Sequence, residues 1–368
     1  MNIRESEILK ALSTVQDPDL KNDLVTLNMV KDVVIRGNDV SFTVVLTTPA
    51  CPLQEGFRKD CTSAIHETYP DANITISFTS RTTTARMDKH KVLKGVKNII
   101  AVVSGKGGVG KSTVATNLAL AMASKGAKTG LMDADIYGPS GHIMMGVRGE
   151  KPLMKDVDGK PKIIPIMRYG IELMSIGFLV DERQAVVWRG PMVSSAIRQF
   201  VTEVAWGDLD YLVIDMPPGT GDIHLTIVQS VPVTGVVVVT TPQTVALADA
   251  KKGVSMFRQP GLRVPIVGIV ENMSYFTPAE LPDNKYYIFG KDGGKNLAEE
   301  FDIPFLGGIP LVQSIREGGD IGVPAMMSDD RISVKAFEEL ADNVIRGIST
   351  INAKINSTLA QQQQAAAL

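Results

Sequence analysis

The sequence predicts an α/β protein, a doubly wound and mostly parallel sheet domain preceded by a small α+β domain. Three observations predict it. From Asn98 onward, apolar runs of strand length alternate with longer helical patterns, as in a parallel sheet covered on both faces. A glycine-rich loop at 105–113 separates one such run from an Ala- and Leu-rich helical stretch at 113–123. Residues 1–80 read differently, as helix, hairpin, helix and strand.

In that first domain, residues 3–14 have helical periodicity. Residues 29–36 (MVKDVVIR) and 40–47 (VSFTVVLT) read as strands joined in a hairpin at Gly37-Asn38-Asp39. A helix follows over 53–68, with Pro52 at its first position, and 73–79 (NITISFT) alternates as a third strand. The polar, basic stretch from Ser80 to Lys97 lacks apolar periodicity, which places a linker at 81–97. The second domain, 98–350, carries strand candidates at 98–103, 128–133, 211–215, 233–240, 264–270 and 303–309. Several are continuous apolar runs, as expected of strands buried on both faces. Residues 351–368 end in INSTLAQQQQAAAL, a low-complexity tail expected to fray.

Composition narrows the function classes. A chain of 368 residues suggests two domains, and 44% hydrophobic with 21% charged residues is globular rather than disordered. A formal net charge of -2 gives no support for a nucleic-acid partner. No run of 18 apolar residues offers a spanning helix or a membrane partner, and the first residues lack an apolar signal core. Cys51 and Cys61 are too few for a disulfide framework, so the reading is a cytoplasmic protein.

Gly105-Lys106-Gly107-Gly108-Val109-Gly110-Lys111-Ser112-Thr113 satisfies the P-loop pattern. Its glycines let backbone N–H groups turn toward phosphate oxygens, and the next helix offers its positive end to the anion. Lys111 is expected on the β- and γ-phosphates and the Ser112 hydroxyl on Mg²⁺. Asp215 closes the apolar run Tyr211-Leu212-Val213-Ile214, the place of a carboxylate that holds Mg²⁺ through its water shell. After it comes Met216-Pro217-Pro218-Gly219-Thr220-Gly221-Asp222, where the Gly219 N–H is placed to meet a γ-phosphate; a plain turn is the other reading. Asp133 and Asp135 end another run, and their spacing by two predicts that both face the crevice beyond the strand ends. Asn272 ends a further run; its carboxamide both donates and accepts, though a capping Asn reads the same.

Lys106, directly after the first glycine, makes the loop KGGxGK[ST], and the chain here resembles the MinD/ParA/nitrogenase-iron-protein class of P-loop ATPases. The resemblance implies a P-loop NTPase fold and a face-to-face homodimer with ATP at its interface. It implies that Lys106 crosses to the partner's nucleotide, that Asp135 positions the attacking water, and that Asn272 reads adenine. GKGGVGKST, DADIYGPS, WRGPM (188–192), DMPPGTGD (215–222) and VENMSYF (270–276) together resemble the Mrp/ApbC iron–sulfur cluster carrier ATPases. Leu46-Thr47-Thr48-Pro49-Ala50-Cys51-Pro52 resembles the SufT/PaaD-type domain tied to iron–sulfur assembly. This implies iron–sulfur scaffold and apoprotein partners and a [4Fe–4S] cargo.

Family members that carry a cluster usually have Cys-x-x-Cys just after the NMSYF segment. Here Thr277-Pro278-Ala279-Glu280-Leu281-Pro282-Asp283 stands there, with no cysteine. Cys51, ahead of a helix whose N-terminus favours the thiolate, is the remaining candidate, with Cys51 from two chains plus other ligands holding the cluster. Cys61 recurs with Phe57, Ile65 and Tyr69 at four-residue steps and reads as core. Competing readings are a ParA/MinD-type switch on DNA, membrane or a protein, a nickel metallochaperone, and an electron donor like the nitrogenase iron protein. The tail is no basic amphipathic helix, the histidines (His66, His90, His142, His224) are scattered, and the ATPase domain lacks cysteine.

Overall fold

The computed structural model describes residues 3–86, 92–179, 190–262, 264–278, 280–281 and 284–366. They form two compact units, one of Met1–Ala85 with Asn352–Leu368, the other of Arg86–Ile351.

The first unit runs α1 (Glu5–Leu12), a two-residue pair β1 (Gln16–Asp17) and β2 (Asn22–Asp23), then β3 (Val30–Arg36), β4 (Asp39–Leu46), α2 (Gln54–His66) and β5 (Asn73–Ser80). Strands β3 and β4 form the expected antiparallel hairpin, with Gly37 at φ +62° in its turn. Helix α2 crosses over, so β5 pairs parallel to β4 from Asp39↔Asn73 to Leu46↔Ser80. Strand β4 alternates, sending Val40, Phe42, Val44 and Leu46 into a core closed by Ile8, Leu12, Phe57 and Ile65. Cys61 lies in that core, its thiol pushed up to about 12 by burial and by Asp60. The sequence reads 351–368 as a fraying tail, but the last helix continues through Ala366. Asn352 on it donates to the Thr83 carbonyl (3.1 Å) and accepts from the Ala85 N–H (3.0 Å).

The first strand of the second unit is β6 (Val96–Ser104), whose first two residues lie in the stretch read as linker; α3 (Lys111–Ser124), β7 (Thr129–Asp133) and α4 (Gly141–Met144) follow. Then come the hairpin β8 (Leu153–Val157) and β9 (Lys160–Ile164), β10 (Ile166–Arg168), β11 (Ile171–Ser175), α5 (Gly190–Thr202), β12 (Leu209–Asp215) and α6 (Asp222–Ser230). β13 (Gly235–Thr240), α7 (Thr244–Phe257), β14 (Ile266–Glu271), α8 (Gly293–Glu300), β15 (Phe305–Gly308), α9 (Gln313–Ile321) and α10 (Arg331–Ala366) as far as Ile351 complete it.

Eight strands form one sheet in the order β10-β11-β7-β12-β6-β13-β14-β15. Every neighbouring pair is parallel except β10–β11. The doubly wound prediction therefore holds, and all six strand candidates have counterparts. Every residue of β7, β12 and β13 is buried, which is why none of them alternates in sequence. The strands β8 to β11 have no counterpart among the strand candidates of the sequence. All five residues of β8 are exposed, so no burial pattern marks it. The chain leaves β6 toward β7 on one side and returns to β13 on the other, so the loop after β6 lies at a topological switch point.

Candidate active site

The loop after β6 owes its shape to its glycines. Gly108 and Gly110 hold φ of +82° and +81°, a left-handed conformation that strains other residues. A Cβ on Gly105 would lie 2.2 Å from the Asp249 carbonyl carbon in α7, so only glycine lets loop and helix approach. Gly110 caps α3, and Lys111 is the first helical residue, directing the helix N-terminus into the site.

Above the loop opens a cavity of about 590 Å³, a size suited to a small-molecule ligand. Lys106, Gly107, Gly108, Gly110, Lys111, Ser112 and Thr113 form one wall, with Asp135 and Asn272 also at its surface. Pro310, Leu311 and Val312 add an apolar edge, and Ile315, Arg316, Gly319 and Asp320 of α9 line another side. Pro218 reaches the cavity surface next to Gly219, and Asp215 meets Lys111 of the cavity wall.

The floor is electrostatically unusual. Lys111 Nζ donates to Asp215 Oδ1, stands 3.4 Å from Asp135 Oδ2, and contacts Ser112 Oγ at 3.2 Å. Burial would depress the Lys111 ammonium, but Asp215, Asp135 and Asp133 outweigh it and hold the group above the ordinary lysine value. Burial pushes the Asp215 carboxyl up, opposed by the Lys111 charge and hydrogen bond. Burial, joined by the Asp215 charge, pushes Asp133 up to about 7 against hydrogen bonds from Ser175 and Gly141. One ammonium thus serves three buried carboxylates. That shortage is what a bound divalent cation would relieve, and the Ser112 hydroxyl with Asp215 supplies oxygen donors of the kind Mg²⁺ takes. Among the described residues no three of His, Cys, Asp and Glu form a metal-holding group.

Asp133 and Asp135 do not share a role, contrary to the expectation that both face the crevice. Strand β7 ends at Asp133, so the two-residue rule stops applying before Asp135. Asp133 is turned inward, accepting from Ser175 Oγ (2.7 Å), Gly141 N–H (2.9 Å) and Asp135 N–H (3.2 Å). Asp135 reaches the cavity, its Oδ1 held by the Tyr137 and Gly138 N–H groups at 3.2 Å each.

The Gly219 N–H, expected on a γ-phosphate, donates to the Ser104 carbonyl at 2.9 Å. Asn272 Nδ2 donates to the Val109 carbonyl at 2.8 Å, and a Cβ on Gly110 would lie 2.1 Å from that nitrogen. The asparagine clamps the phosphate loop, a contact no local sequence signal carries. In the sequence His224 is one of four scattered histidines, yet it is 2% exposed and lies against the Pro217 and Gly221 carbonyls. Its place two residues after Asp222, at a helix start beside the PPGTGD turn, was the available signal.

Cys51 is half-buried against the core of the first unit, its N–H donating to the Thr48 carbonyl at 3.3 Å. Helix α2 begins at Gln54 rather than Pro52, so Cys51 lies further from the helix N-terminus than the sequence suggested. Trp188 and Arg189 of WRGPM, Ala279, Pro282, Asp283 and His90 lie outside the described residues. Among the described residues no helix is long and apolar enough to cross a membrane.

The raised Asp133 has a consequence for stability. The folded carboxyl keeps its proton up to about pH 7, whereas its ordinary value is 3.8. The folded state therefore binds more protons between those values, and its stability falls as pH rises from about 4 to about 7. Urea melts of nucleotide-free protein across that range are expected to show this slope, and Asp133→Asn to flatten it.

A family model described as NUBPL iron-transfer P-loop NTPase matches residues 95–345, and one described as iron-sulfur cluster assembly protein matches residues 5–77. The iron-sulfur cluster carrier protein of Synechocystis is 48% identical over 93% of this chain and 97% of its own length. That of Escherichia coli is 44% identical over 90% of this chain and 89% of its own length. A nucleotide-binding protein from Archaeoglobus fulgidus, solved with ADP, superposes with a TM-score of 0.56 at 38% identity, covering 64% of this chain and 91% of that one.

Proposed function

Because this chain belongs to the iron-transfer P-loop NTPase family, which binds and hydrolyses ATP, we propose that it is an ATP-driven cytoplasmic homodimer serving iron–sulfur scaffold and apoprotein partners, with Mg²⁺ at its nucleotide site and the cluster as cargo. The observation that carries the nucleotide reading is Lys111 enclosed by Asp133, Asp135 and Asp215 beneath the P-loop cavity. Ser112 and Asp215 would hold a Mg²⁺, which would supply charge neutralisation for phosphoryl transfer. ATP draws Lys111 from Asp215 onto the β- and γ-phosphates, and loop N–H groups cradle the anion. Asp135, fixed through Oδ1, turns Oδ2 to orient the attacking water. Lys106 reaches the partner's nucleotide, so hydrolysis needs the dimer. Asn272 keeps the loop in register and presents its carboxamide beside the base.

The cargo is the less usual part of the reading. The sequence holds no cysteine after Cys61, so the ATPase part offers no thiolate. Cys61 is buried with its thiol pushed up, which leaves Cys51 from two protomers, with outside ligands, to hold a cluster. Iron and acid-labile sulfide per chain after anoxic reconstitution test this, with Cys51→Ser beside wild type. Iron in wild type and none in the variant is the expected outcome. Wild type without iron makes the protein an ATPase that serves maturation without carrying the cluster.

A further inference from the structure

The loop from Pro217 to Gly221 is spanned by a single side chain. His224 Nε2 lies 2.8 Å from the Pro217 carbonyl at the loop's start, and Nδ1 lies 3.3 Å from the Gly221 carbonyl at its end. At 2% exposure the imidazole has little access to water, and its one N–H in the neutral form goes to a backbone carbonyl. The shorter contact makes Nε2 the donor of the neutral ring, a tautomer assigned from the geometry. Burial holds the imidazole below the ordinary histidine range, and both carbonyls oppose that shift. Nε2 holds the Pro217 carbonyl and the His224 backbone N–H holds the Gly221 carbonyl (3.0 Å); between them stands Gly219, at φ +99°, with its N–H donating to the Ser104 carbonyl 2.9 Å away. Ser104 is the last residue of β6 and its Oγ donates to the Lys106 carbonyl, so this acceptor belongs to the phosphate loop itself.

We propose that His224 is a positioning residue for ATP hydrolysis, holding the 217–221 loop so that the Gly219 N–H exchanges the Ser104 carbonyl for the γ-phosphate. The inference rests on the nucleotide reading given above. ADP has no γ-phosphate to claim that donor, so the loop keeps its bond to Ser104. ATP brings a charged acceptor, which forms a stronger hydrogen bond than a neutral carbonyl. The histidine strap limits how far the loop moves in the exchange. Loss of the strap leaves the Gly219 amide poorly aimed at the phosphate and slows turnover, while ADP contacts remain.

His224→Leu fills the same space without a donor, and His224→Gln restores an N–H toward Pro217. Loss of one such hydrogen bond at the reacting phosphate is expected to lower kcat about tenfold in the Leu variant. The Kd for ADP is expected to stay within about twofold, and Gln to recover most of the rate. A Leu variant with wild-type kcat overturns the proposal. So does one in which ADP affinity falls along with kcat, since that marks a general structural role. Wild-type protein gives a check that needs no variant to fold. The ¹⁵N resonances of the His224 ring are expected to shift when a non-hydrolysable ATP analogue replaces ADP, and identical resonances overturn the proposal. Lys111→Ala separates the two readings. If it leaves nucleotide affinity intact, the nucleotide reading itself fails; if it weakens binding about 10²-fold while the Leu variant keeps its kcat, only the role of His224 fails.

Discussion

Lys106→Ala is expected to lower ATP turnover by about 10³-fold while ATP and ADP still bind, the scale set by arginine fingers supplied in trans to other P-loop enzymes. The structure gives this lysine a different situation from Lys111. Lys111 is 6% exposed and enclosed by carboxylates. Lys106 is half-buried at the cavity surface, and among the described residues its ammonium has no ion-pair partner. Its backbone is fixed by the Ser104 hydroxyl at 2.9 Å, while its side chain is left to reach outward. Phosphate release under saturating ATP measures the rate, and equilibrium titration measures the affinity. Mixing Lys106→Ala with Lys111→Ala protomers tests the direction of reach. Only a lysine acting across the interface gives the mixed dimer one complete site, so recovered turnover is expected and its absence overturns the cross-subunit role.

Lys111→Ala is expected to weaken nucleotide binding about 10²-fold. Two charge-assisted contacts to the β- and γ-phosphates, at about 1.5–3 kcal/mol each, put the loss at about 3 kcal/mol or more. The same substitution removes the one ammonium from among Asp133, Asp135 and Asp215. Unpaired buried carboxylates are costly, so they keep their protons to higher pH. The pH dependence of nucleotide-free stability is therefore expected to steepen in this variant, with stability lost as pH rises. Calorimetric titration with ADP and melts at several pH values check both effects. Unchanged affinity would remove Lys111 from the phosphate site.

The sequence by itself determined what depends on neighbours along the chain. The apolar runs of β7, β12 and β13 became fully buried parallel strands, as runs apolar on both faces do. Gly108 and Gly110 announced the phosphate loop because their backbone conformation is a local property that glycine alone adopts without strain. Cys61 was legible as core from its four-residue recurrence with Phe57 and Ile65. Tertiary structure decided which side chains meet across the sheet. The pairing of β12 with β6 and β7 brings Asp215 beside Val102 and Asp133, and so sets one ammonium among three carboxylates. The inward turn of Asp133, the grip of Asn272 on Val109, the bond from Gly219 to Ser104 and the His224 strap follow from where the strand ends and loops are carried. Sequence period fixes which face a residue takes on its own element; strand order and register choose its partner, often a hundred or more residues away, and no local pattern encodes that choice.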